Sequence, residues 1–91
     1  MKASRVWVDF MKRDAKGRLL LTSLGTREDL RQQNIELREG MELRVYSDDA
    51  DGGGLVDNLI AEGIVHYDRE ASRWVLEIND GSVKHESHRH R

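Results

Sequence analysis

The chain has 91 residues, a formal net charge of −2, 37% hydrophobic and 35% charged residues, and neither cysteine nor proline. That length suits one domain with a modest core, and the lack of cysteine excludes disulfides, thiol catalysis and zinc–thiolate sites. No apolar run approaches the roughly 20 residues of a membrane span. Asp9, Lys12 and Arg13 interrupt the N-terminal stretch before it can form a signal core, so a soluble, cytoplasmic protein is expected. With no proline, turns must rest on glycine, aspartate, asparagine and serine.

Residues 5–10 alternate, with Val6, Val8 and Phe10 on one side and Arg5, Trp7 and Asp9 on the other, which marks a first strand. Trp7 is a large ring on the polar side, and two readings stand: covered by a neighbouring element, or exposed in a binding patch. Residues 14–17 form a turn in which Gly17 suits a positive φ. A second strand follows over residues 18–24, with leucines on both sides. Gly25 ends it, and Thr26 with Asp29 three residues on reads as an imperfect capping box. A helix of about two turns is expected over residues 26–34, stopped by Asn34.

A third strand is expected over residues 41–47, with Met41, Leu43 and Val45 on one side. The next, over residues 55–68, is long, and Gly63 within it marks a bulge or sharp bend. After a turn, residues 73–79 alternate again, with Trp74, Leu76 and Ile78 inward and Arg73, Val75 and Glu77 outward. Residues 83–85 add a short edge strand. The pattern predicts a mainly β domain over residues 1–84, followed by a polar His/Arg-rich tail over residues 85–91. The expected architecture is a small, five-stranded, strongly bent antiparallel sheet or barrel, with one short helix between strands 2 and 3.

The stretch EGIVHYDREASRWVLEI resembles the central hairpin of SH3-like barrels, including the KOW and Tudor types. There a Gly-x-Val strand and a short acidic turn precede a strand of alternating apolar residues. The resemblance covers about a quarter of the chain. It implies an SH3-like small barrel and a binding-module habit rather than a particular ligand.

Enzyme signatures are scarce. There is no Gly-x-Ser-x-Gly elbow, and DGGG lacks the Lys-Ser/Thr that completes a phosphate loop. Asp68 and Glu62 are the carboxylates the sequence offers to His66, but no nucleophile accompanies them. The expectation is a protein that is not an enzyme.

Three sites are open on sequence grounds. Numbered from Asp49, the acidic glycine loop places Asp49, Asp51 and Asp57 at positions 1, 3 and 9 of a calcium-loop pattern, with Gly54 at the turn position. Gly53 and Ile60 stand where the fifth and twelfth ligands belong. Calcium is therefore the one cofactor the sequence suggests, against the plainer reading of a solvated loop rich in turn formers. Trp7, Lys12, Arg13, Lys16 and Arg18 form a candidate binding face for RNA or the ribosome. His85, His88 and His90 are a third, weaker set suited to a transition metal. The leading expectation is a non-catalytic binding or accessory module for a protein partner. The alternatives are an RNA- or ribosome-associated module and a calcium-stabilised structural domain.

Overall fold

The structure is a computed structural model and describes residues 5–48 and 58–85. These form strands β1 (Arg5–Trp7) and β2 (Leu19–Leu20), helix α1 (Leu24–Gln32), then β3 (Glu42–Ser47), β4 (Leu59–Asp68) and β5 (Arg73–Ile78). A 3₁₀ turn (Asp80–Ser82) leads to β6 (Lys84–His85). The sheet runs β1-β3-β4-β5-β2, with β6 beside β4. The domain is mainly β with one helix among the described residues, placed between the second and third strands as expected.

Two details of the expected architecture change. Among the described residues the sheet has six strands, and it is mixed because β1 pairs with β3 in parallel, Val6 opposite Val45. The chain turns back through β2 and α1 before β3 begins, so β3 starts from the same end as β1. Among the described residues the sheet does not close. The short β2 nevertheless has a cover, since Leu20 N–H donates to the Lys12 carbonyl and Arg13 bridges to Leu19.

β4 is the strand that the sheet is built on. Its first six residues pair with β3, from Leu59 opposite Ser47 to Ile64 opposite Glu42. Its last six pair with β5, from Gly63 opposite Ile78 to Asp68 opposite Arg73. Leu59 and Ile60 pair on that same side with β6. At Gly63 a Cβ would run into the Glu77 carbonyl group. The two strands approach more closely there than any side chain permits, which is why the position takes glycine.

Alternation supplies the core. Val6, Leu43, Val45, Ala61, Val65, Leu76 and Leu19 are buried on one face, joined by Val8, Leu21 and Leu30. Val75 departs from the expected pattern, because it is fully buried on the opposite face, between Leu20 of β2 and His66 of β4 in the strand register. Burying one such aliphatic side chain contributes about 1.5–3 kcal/mol. His85, which the sequence offers both to an edge strand and to the start of the tail, lies in β6.

The helix begins earlier than expected, at Leu24, with Ser23 in the cap position and no side-chain cap bond. Thr26 is therefore not the cap. It is fully buried, and its hydroxyl donates to the Trp7 carbonyl at 2.7 Å. The far end follows expectation. Asn34 takes φ 57°, Ile35 N–H donates to the Leu30 carbonyl, and Asn34 N–H donates to that of Arg31. This is the Schellman arrangement.

α1 also closes the outer edge of β1. The Asp29 carboxylate accepts from Trp7 N–H at 2.8 Å, Thr26 donates to the Trp7 carbonyl, and Gln33 donates to the Arg5 carbonyl at 2.9 Å. Gln33 also donates to the other oxygen of Asp29. An edge strand that would offer free main-chain groups to another chain is thereby paired.

Candidate binding groove

The residues singled out from sequence separate in space. Asp49, Asp51 and Asp57 lie outside the described residues, as do Gly53, Gly54, His88 and His90. Trp7 is half-buried, its ring set against Gly25 so closely that a Cβ there would sit 2.9 Å from the Trp7 Cε3 atom. Trp7 thus packs against the start of α1 and keeps part of its surface exposed. Lys12, Arg13, Lys16 and Arg18 belong instead to the connection between β1 and β2. Lys12 and Lys16 are exposed, and the exposed Arg13 guanidinium donates to the Phe10 and Gly17 carbonyls.

Arg18 is tied down on both sides. It meets Asp14 at 2.7 Å and Asp68 at 3.2 Å. Burial opposes ionisation of Asp14, but N–H donors of Arg18 and Lys16 and the Arg18 guanidinium outweigh it and hold the carboxyl below its ordinary range. This is the geometry of a turn lock, with the charges already matched to each other.

A different surface has the shape of a site. A groove of about 780 Å³ runs along β3, β4 and β5, lined by Leu43 and Gly63 together with residues that alternate with the core positions. The half-buried Ile64 lies within it, and Ile35 and Met41 contribute apolar surface from the chain between α1 and β3. Glu42 and Glu77 stand opposite Ile64 on the two neighbouring strands. Arg44 and Glu62 lie opposite each other further along, their charged atoms 3.8 Å apart. The lining thus carries three carboxylates and one guanidinium, and that guanidinium already faces a carboxylate.

Beside the groove, His66 is held between two acids. β3 stops short of the end of β4, and the turn before β3 takes over its edge. Gly40 N–H donates to the Val65 carbonyl, and Glu39 Oε1 accepts from Tyr67 N–H at 2.8 Å. Glu39 Oε2 lies 2.5 Å from His66 Nδ1, while Glu77 Oε1 lies 3.0 Å from Nε2. The partners are Glu39 and Glu77, not the Asp68 or Glu62 that the sequence offered. Both ring nitrogens face anions, so the doubly protonated ring fits best. Glu39 and then Glu77 raise the His66 pKa above its ordinary value against a smaller opposing effect of burial. The Tyr67 N–H bond, then His66, lowers that of Glu39.

The His66–Glu77 contact left a trace in the sequence. A turn at residues 69–72 sets 66 opposite 75 and so makes 77 a diagonal neighbour across the hairpin. Nothing local marked Glu39, because its place depends on where β3 stops. Among the described residues, no cluster of histidine and acidic side chains is arranged to hold a metal ion, and no helix is long and apolar enough to cross a membrane. Comparison with known protein families, curated proteins and solved structures finds no match for this chain.

Proposed function

We propose that the domain is a non-catalytic module that binds a protein partner along the groove of β3, β4 and β5. The partner is an extended segment that alternates basic and apolar side chains. The observation that carries this reading is the pairing of apolar surface at Ile35, Met41 and Ile64 with carboxylates at Glu42, Glu62 and Glu77. Alternate side chains of an extended segment point to opposite sides. One set meets the apolar surface, and the other meets acids whose field favours lysine or arginine.

The test is an amide NMR titration with a hexapeptide of alternating lysine and leucine. Saturable shifts are expected at Glu42, Arg44, Glu62, Ile64 and Glu77, and Ile64→Glu should abolish them. Shifts that never saturate, or that map away from the groove, overturn the reading. A second reading, nucleic-acid binding, is favoured by the exposed Lys12, Arg13 and Lys16. It predicts instead that an oligouridine shifts residues 12–16, with affinity that falls steeply as salt rises.

A further inference from the structure

Glu77 belongs to two sites at once. It lines the groove, and it is one of the two acids that hold His66. We propose that His66 is a proton-controlled latch on Glu77 that sets the negative charge available to a cationic partner in the groove. This rests on the groove being the binding site.

The two arms of the latch differ. Glu39 is anchored independently of the ring, because Oε1 holds Tyr67 N–H while Oε2 meets His66. Glu77 has no such second bond among the described hydrogen bonds, and its side chain is 65% exposed. When the imidazolium loses one proton, a single ring N–H remains. It stays with the closer, anchored Glu39. Nε2 then presents a lone pair to Glu77, and that contact turns from attraction to repulsion. Glu77 is set free on the side where it borders the groove. No bond other than the N–H breaks, and the proton goes to solvent.

The surrounding charges favour this division of labour. Lys16 and Arg18 line the hollow of about 420 Å³ that holds Glu39, His66 and Glu77. Arg18 is engaged with Asp14 and Asp68, and the positive charge of Arg69 acts on Glu39. On the groove side, the next charge along the sheet is Glu42, across Ile64 from Glu77. A released Glu77 therefore stands with a second acid on either side of an apolar floor, which suits a lysine flanked by apolar side chains.

Linkage makes the effect reciprocal. If loss of the His66 proton strengthens binding of a cation, binding of that cation must lower the His66 pKa by the matching amount. An exposed ion pair sets the scale at about two- to fivefold in affinity.

The experiment has two arms. In the free protein, the Glu77 carboxyl carbon and the His66 ring are followed by NMR from pH 5 to 9. The Glu77 signal is expected to show a step at the His66 pKa, absent in His66→Gln. If Glu77 does not sense His66, the latch is overturned whatever any peptide does. In the second arm, the lysine–leucine hexapeptide is titrated at pH 5.5 and 8.5, where its lysines stay charged. Wild type is expected to bind about two- to fivefold tighter at pH 8.5, with the His66 pKa lowered in the complex. His66→Gln, folded as judged by its amide spectrum, should lose that difference. Equal affinity at both pH values, with the step at Glu77 intact, overturns the coupling. Absence of binding at either pH, with the step intact, instead overturns the groove as the site.

Discussion

Along the outer edge of β1 and along the bare end of β4, main-chain groups are met by side chains from outside the sheet. At β1 the helix and its C-cap supply Thr26, Asp29 and Gln33 to the Trp7 and Arg5 backbone. At β4 the turn before β3 supplies Glu39 to Tyr67, and His66 locks that acid in place. The first closure is fully buried at Thr26 and built on a hydroxyl and a carboxamide with one carboxylate. The second is exposed, with Glu39 61% and His66 31% accessible, and every side chain in it titrates. Burial makes the first closure a fixed part of the fold. Exposure and titration leave the second adjustable by pH, so the adjustable closure is the one beside the groove.

The largest expected effect breaks the buried closure. Thr26→Val keeps the shape but leaves the Trp7 carbonyl without its donor in a site that excludes water. It should cost about 1–3 kcal/mol, a fall in melting temperature of roughly 4–24 °C for a domain of this size. The loss should be the same at pH 5.5 and pH 8.5. A pH-dependent loss would mean that the two closures are not separate.

Gly25→Ala gives a test of sign. Alanine normally improves on glycine within a helix by about 0.5–1 kcal/mol. Here the new methyl group meets the Trp7 ring at 2.9 Å, so the substitution should instead destabilise by about 1 kcal/mol. The Trp7 indole N–H resonance should move with it. A more stable protein with an unmoved indole signal would show that the ring does not depend on Gly25.

The smallest effect belongs to the exposed closure. The raised His66 pKa means that its stabilisation is complete below the ordinary value of about 6.5 and is lost as pH rises through the higher folded value. The lowered Glu39 pKa removes its share on the acid side, as pH falls through a value below the ordinary 4.5. His66→Gln should therefore lower the melting temperature at pH 5.5 by no more than about 4 °C, given solvent screening. At pH 9 it should change it little. A loss that grows with pH would reverse the assignment of charge to the ring.

Much of the framework was legible in local pattern: the cores of the third, fourth and fifth strands from period-two alternation, and the stop at Asn34. Alternation works because it encodes which side of a strand meets the core, and glycine and asparagine work because the backbone itself demands them. The helix start was misplaced for an equally local reason. A threonine before an acidic residue looks like a cap, and nothing in the neighbouring residues reveals that Thr26 is needed by Trp7, nineteen positions earlier. The basic residues near the N-terminus looked like one face because they are close in sequence, whereas Arg18 finds its acids at positions 14 and 68.

By itself, then, the sequence determined a small mainly β domain, the identity of most core positions and the places where the chain must turn. Those follow from burial and backbone geometry, which act within a few residues. Only the tertiary structure decided that β1 runs parallel to β3, that a helix seals its edge, and that Glu39 reaches His66 beside an acidic groove. These depend on pairings across 39 (Val6 to Val45), 22 and 27 positions. They are set by where one strand stops and another element takes its place, which no local pattern records.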